Sequence, residues 1–237
     1  MPRKKAKIVK KKVNIPVFTE PKEKVEESPY AQTLKEEAKT WLIEDPLVRA
    51  EKIQRETVRY PLLARQMGLH HIDTSNMVVF DIGCGPMGGV SSVIPNKMRA
   101  LFDPLAHEYK KHFSHVSINA IKGEDLSQLI PQADLVIVTN ALDHFESPIK
   151  FLYMIKAFMK PGAYFAHLHA INNAITHPHP AHIHNINPQI VDDTLSTDFE
   201  KVWELKYPEI RYGWVQYQGK VGQPAFSQLW RKTTGYK

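Results

Sequence analysis

Short apolar runs predict strands at 77–82, 98–103, 115–119, 133–139 and 162–169. Between them, apolar residues recur at helical spacing and predict helices near 86–94, 104–113, 124–130 and 147–159. Strand and helix in alternation imply a parallel sheet, because parallel neighbours need a crossover between them. Two further runs, around 200–207 and 224–232, have no helical pattern between them. They predict a hairpin-type pairing that adds one antiparallel strand. Upstream, Leu34, Ala38, Trp41 and Leu42 form one stripe of a helix over 30–44. Asp45-Pro46 reads as a cap followed by a first-turn proline. A second helix follows to about Tyr60, where Pro61 is expected to end or kink it, and Leu62 to Met67 can extend it before Gly68. This helical prelude is expected to cover part of a ligand site. Residues 1–29 show no such period and, with their lysines and prolines, read as a disordered arm. The chain therefore divides into a basic arm (1–29), a helical extension (30–75) and an α/β domain (76–237).

The most informative stretch is Val78-Val79-Phe80-Asp81-Ile82-Gly83-Cys84-Gly85-Pro86-Met87-Gly88-Gly89. It reads as a buried strand that ends in an acid and turns through glycines into a helix. Gly83 and Gly85 permit a tight turn and close approach of a ligand to the backbone, and such junctions hold nucleotide-like ligands in open α/β sheets. Gly83, Gly85 and Gly88 also satisfy G-x-G-x-x-G, a weak signal alone. Asp81, two residues before the first glycine, would face a pyrophosphate with like charge. It suits a ligand carrying an ammonium and a sulfonium, which argues against a nicotinamide dinucleotide. Asp103, ending the next apolar segment, can accept from ribose hydroxyls.

This Asp81 to Gly85 core followed by Asp103 resembles the first two motifs of class I S-adenosylmethionine-dependent methyltransferases. Ala133 to His144 is similar to that family's fourth strand and the loop after it, and Ser147 through Lys160-Pro161-Gly162-Ala163 to the next helix and the start of the fifth strand. The resemblance implies an α/β, Rossmann-like, seven-stranded, mostly parallel sheet with one antiparallel strand and helices on both faces. It implies S-adenosylmethionine as cofactor, with Asp81, Gly83, Cys84, Gly85, Asp103 and Asn140 around its methionine and ribose parts. Glu124, Asp125 and Leu126 are expected to border its adenine. The implied activity is methyl transfer to an O or N of an acceptor, a reaction that gains most from holding donor and acceptor close and in line.

His144, in the loop after the fourth strand beside Asp143, is the candidate general base. His167 and His169 alternate along 162–169 and so face one side. With His177, His179, His182 and His184 they make six histidines in 18 residues. A metal reading was weighed. No Asp, Glu or Cys lies among these histidines in sequence, and their spacing matches no known zinc framework. No metal is therefore expected. Asp143, His169, His182 and His184 are assigned instead to the wall of the acceptor pocket, which the resemblance also implies.

Charge refines the choice of acceptor. The net charge is +6, but seven of the 31 basic residues fall within residues 1–12, which hold no acid. The remaining chain carries 24 basic against 25 acidic side chains. A nearly neutral body favours a small-molecule acceptor, whereas the arm offers a contact to nucleic acid or an acidic partner. Exposed aromatics such as Trp203, Tyr207, Tyr212, Trp214 and Tyr217 would serve a nucleic-acid acceptor. A non-catalytic methyltransferase-like assembly module is the remaining alternative. The single cysteine, Cys84, excludes an intrachain disulfide and fits a reducing compartment, so a cytoplasmic protein is expected. No stretch is apolar enough for a membrane span.

Overall fold

The computed structural model describes residues 28–113, 117–171, 180–206 and 225–233. Helices α1 (Pro29–Trp41) and α2 (Pro46–Gln66) precede the sheet. Asp45 caps α2 by accepting from the amides of Leu47 and Val48 at 2.8 and 3.3 Å. Helix α2 runs through Pro61 rather than ending there.

Six strands form one sheet: β1 (Val78–Ile82), β2 (Met98–Phe102), β3 (Leu135–Thr139), β4 (Tyr164–Ala170), β5 (Phe199–Lys206) and β6 (Ala225–Lys232). Their order is β2-β1-β3-β4-β6-β5. The first four are mutually parallel, and β6 enters between β4 and β5 antiparallel to both. The chain leaves β1 toward β2 on one side and returns to β3 on the other. The β1/β3 boundary is therefore the switch point, where ligands bind at the carboxyl ends of such sheets.

Burial follows the two-residue period of strands. Val79, Leu135, Ile137, Ala166 and Leu168 point to one face, under Leu63 and Met67 of α2. Phe80, Ile82, Val136, Val138 and Phe165 point to the other, under Phe151, Leu152 and Ile155 of α4 (Pro148–Phe158) and Val191 and Leu195 of α5 (Pro188–Leu195).

Several sequence expectations require correction. Among the described residues the sheet has six strands, not seven. Of the strand expected at 115–119, residues 115 and 116 lie outside the described residues, and among 117–119 only Asn119 forms a bridge, to Phe102. No α-helix follows the glycine turn at 86–94. Gly85, Gly88 and Gly89 have φ of 63°, 81° and 64°, incompatible with helical backbone, and only a 3-10 turn at Val90–Ser92 forms. The carboxyl-terminal half of α2 (Tyr60, Leu63, Ala64, Met67) packs beside Met87 and Val90 in its stead. The helix expected over 104–113 shortens to α3 (Ala106–Tyr109). That over 124–130 resolves into 3-10 turns at Gly123–Asp125 and Ile130–Gln132, the second holding Pro131.

Gly68, at φ +73°, ends the α2 segment against Trp203, whose Nε1 donates to the Gln66 carbonyl at 3.1 Å. A Cβ on Gly68 would lie 2.5 Å from the indole. Gly68→Ala is expected to lose about 2–4 kcal/mol in urea denaturation, from overpacking together with the left-handed backbone. In a Trp203→Gly background, which also removes the Trp203 Cβ that would lie 2.8 Å away, the added loss should shrink to about 1–2 kcal/mol, the conformational share. Equal losses in both backgrounds would rule out the steric cause.

Candidate active site

The site is assembled at the carboxyl ends of β1, β2, β3 and β4. Its first half is the glycine turn. Asp103, just past β2, holds that turn in place: its Oδ2 accepts from the Gly85 amide at 3.0 Å and its Oδ1 from the Leu105 amide at 2.9 Å. The Gly83 amide donates to the Phe102 carbonyl at 2.8 Å, fixing the turn to β2 a second time. A side chain on Gly83 would collide with Ala141, so the ends of β1 and β3 meet at van der Waals distance.

Asp81 is completely buried. Its Oδ2 accepts from the Ser91 amide at 2.8 Å, at the start of the 3-10 turn, while its Oδ1 has no hydrogen-bond partner. A Cβ on Gly89 would sit on this carboxylate, so the glycine there makes room for the acid. Burial drives the Asp81 carboxyl up to about 7, against the opposing bond from Ser91. Burial likewise lifts Asp103 to about 6, against its bonds from Leu105 and Gly85. Cys84 is buried in the core, and burial pushes its thiol well above its ordinary value, which suits packing and not nucleophilic attack.

Along the opposite wall, Glu124 is buried. Its Oε1 accepts from the Ser147 amide at 2.8 Å and its Oε2 has no hydrogen-bond partner. Asp125 is exposed, and the Leu126 side chain is wholly within the core, so only its backbone can face a ligand. Asn140, at the end of β3, takes φ +50°, the one non-glycine residue with positive φ among those described, while its amide donates to the Leu168 carbonyl at 2.7 Å. Asparagine tolerates that conformation better than most residues.

The second half gathers the histidines. Asp143 lies in the 3-10 turn Leu142–His144 and is almost fully buried. Its Oδ2 is 2.8 Å from His182 Nδ1 and its Oδ1 is 3.5 Å from His144 Nε2. The two imidazoles meet edge to face with ring centres 4.6 Å apart. His167 and His169 do share a face, stacked at 5.1 Å. His167 Nε2 pairs with Gln228 at 3.0 Å. His169 is fully buried with neither ring nitrogen hydrogen-bonded, and burial lowers it to about 4. His184 reaches only the Glu146 carbonyl at 3.3 Å, outside the cluster. His177, His179, Tyr207, Tyr212, Trp214, Tyr217 and the arm at 1–27 lie outside the described residues. Trp203 packs against the α2 segment, partly buried, as a structural residue.

Sequence reasoning missed the contribution of individual α1 side chains. Tyr30 is buried, and burial together with the neighbouring charges of Glu124, Asp103, Glu146 and Asp125 raises its phenol above the usual range. Trp41 is the nearest group to the open side of Gly85, at 3.8 Å. Glu37 accepts from Trp41 Nε1 at 2.8 Å and lies 3.5 Å from His144 Nδ1. Helix α1 thus touches both halves of the site. The stripe of Leu34, Ala38 and Trp41 was the only sequence signal for it.

No protein-family model and no curated protein matches the sequence, whereas solved structures match the fold. N-methyltransferase NodS from Bradyrhizobium japonicum WM9, in complex with S-adenosyl-L-homocysteine, superposes with a TM-score of 0.58 at 18% identity, covering 87% of this chain and 99% of that one. The chain has the fold of S-adenosylmethionine-dependent methyltransferases. Burkholderia thailandensis 1,6-didemethyltoxoflavin-N1-methyltransferase, with 1,6-didemethyltoxoflavin and S-adenosylhomocysteine bound, gives 0.58 at 16% identity and 94% coverage of both chains. The [4+2]-cyclase SpnF gives 0.52 at 14% identity, covering 74% of this chain and 81% of its own. One fold thus carries more than one chemistry, and the reaction has to be argued from the site.

The raised carboxyls set a pH dependence. Asp81 holds its proton in the folded chain up to about 7 but loses it near 3.8 when unfolded. Folding therefore takes up a proton between those values, and that contribution to stability is lost as pH rises from 4 to 7. Asp81→Asn has no such proton to lose. Its stability relative to the parent should climb by about 2–4 kcal/mol between pH 4 and pH 7.5 in urea melts. A gap that stays constant or narrows with pH would contradict the buried neutral acid.

Proposed function

We propose that the chain transfers a methyl group from S-adenosylmethionine to an oxygen or nitrogen of a small-molecule acceptor. The observation that carries this reading is the glycine turn at the β1/β3 switch point, tied to Asp103 and flanked by two buried carboxylates, Asp81 and Glu124, each with an oxygen lacking a hydrogen-bond partner. Buried unsatisfied carboxylate oxygens are costly, and a ligand offering an ammonium and an amino-purine supplies donors of the right kind. Gly83 and Gly85 leave the backbone open to the methionine portion. Asp103 keeps acceptor capacity for ribose hydroxyls beyond its two amide bonds, and Glu124 can accept from the exocyclic amine of adenine.

S-adenosylmethionine brings a methyl group already activated on sulfur. The chain's own residues bind and orient the two reactants, and α1 with Trp41 and Tyr30 limits the access of water. On the acceptor side, His144 takes the proton released as the acceptor attacks. Glu37, 3.5 Å from its Nδ1, holds the ring in place. His182, held by Asp143, forms the adjoining wall with His169. The basic arm can hold an acidic partner, and no observation on the described residues favours a nucleic-acid acceptor.

Calorimetry with S-adenosylhomocysteine tests the reading. The full chain should bind it, and Asp103→Ala should weaken binding at least about tenfold, since it removes both the ribose acceptor and the anchor of the turn. Asp103→Asn, which retains one acceptor, should lose less. A folded parent chain that shows no binding heat at any accessible concentration disposes of the proposal.

A further inference from the structure

The sequence expectation of no metal rested partly on the absence of a carboxylate among the histidines. In three dimensions that premise does not hold: Asp143 stands between His144 and His182, although 39 residues separate it from the latter. One donor atom from each of Asp143, His144 and His182 lies within 4.8 Å of the others. Ligands on a divalent transition ion, at about 2.0–2.2 Å from it, are spaced on this scale.

We propose that Asp143, His144 and His182 form a binding site for a divalent transition-metal ion, Zn²⁺ or a similar borderline cation, at the carboxyl ends of β3 and β4. Two imidazole nitrogens and one carboxylate oxygen suit such ions, whereas Mg²⁺ and Ca²⁺ prefer oxygen alone. Three protein ligands leave positions open, as in sites that bind and activate rather than merely brace.

A second observation points the same way. His169, on β4, is fully buried with both ring nitrogens lacking a hydrogen-bond partner, and it lies close enough to Asp143 and His144 for their charges to act on it. An unsatisfied buried imidazole beside a carboxylate and another imidazole has the composition of a fourth ligand or a supporting neighbour. Supporting neighbours of this kind hold ligands in orientation.

Binding balances through protons. The bond between His182 Nδ1 and Asp143 Oδ2 at 2.8 Å has its proton on the imidazole, on the carboxylate or shared. When the ion takes these atoms, that proton leaves to solvent, and the hydrogen bond becomes shared ligation. An acceptor hydroxyl on an open position would lose its proton more easily. This proposal goes beyond the methyl-transfer reading and does not require it; with the ion bound, His144 is a ligand and no longer the base.

The test is isothermal titration of the full chain with ZnSO₄ after dialysis against chelator, in two buffers of different ionisation enthalpy. One equivalent should bind, with a dissociation constant on the order of a micromolar or lower and with proton release. Asp143→Asn and His182→Ala should each weaken it at least about tenfold. The surface pair His70 and His71 provides the control, and His70→Ala/His71→Ala should leave that equivalent intact. S-adenosylhomocysteine binding by the Asp143 and His182 variants reports whether they remain folded. Should they lose it, Co²⁺ added to the parent chain decides: visible bands of histidine–carboxylate coordination support the site, and the spectrum of the aquo ion overturns it. Zinc binding unchanged in both variants, or abolished by the His70/His71 control, also overturns it. Zinc binding with no S-adenosylhomocysteine binding by the parent chain would leave the site standing and remove the methyl-transfer reading alone.

Discussion

One buried carboxylate decides the geometry of the cleft. Asp103 accepts from the amides of Gly85 and Leu105, so the turn after β1 and the turn after β2 share one anchor. Without it, a turn holding four glycines at positive φ (83, 85, 88 and 89) would have little to choose among its conformations. The parallel sheet supplies the frame, since β1 and β2 lie in register from Val78↔Met98 to Ile82↔Phe102 and deliver both turns to the same edge. Burying the acid is unfavourable, as its raised carboxyl shows. The two amide bonds and one from the Tyr109 side chain offset part of that, whereas the neighbouring charge of Glu37 adds to it. A site in this condition is biased toward a ligand that brings positive charge and hydrogen-bond donors.

The alternation of apolar runs was enough to read the order of strands in this chain, because strands buried on both faces leave little room for polar residues. The inserted β6 was legible too, since no helical spacing lies between 200–207 and 224–232. The connecting segments were not. Gly88 and Gly89 look permissive in sequence, yet one must clear Asp81, and the positive φ of both stops the expected helix. Residues 115–119 carry strand-like composition, but among the described residues 117–119 only Asn119 makes a bridge. Pattern reports burial. It does not report which backbone conformation a neighbouring side chain imposes.

The candidate site divides in the same way. Asp81, Asp103 and the glycines are close in sequence or end adjacent strands, so their meeting follows from the strand order. The pairing of Asp143 with His182 depends on residues 180–187 meeting the turn after β3, and no local rule contains that. Leu126 was assigned to the adenine border from its place beside Glu124, but its side chain is core. Glu37 and Tyr30 were invisible as site residues because a helix stripe shows which face is buried without showing against what.

Helix α1 lies against both halves of the cleft. It reaches the glycine turn through Trp41, the histidine cluster through Glu37, and the Pro180 carbonyl through Thr33. Lys52 of α2 donates to the Thr40 carbonyl near its end and lies 3.9 Å from the centre of the Trp41 ring. Two ligands seated at the two ends of the cleft would therefore share one wall. Whatever the first spends in ordering that wall, the second is spared, and thermodynamics requires the favour to be returned in equal measure. A single short helix thereby makes occupancy of one end a message to the other.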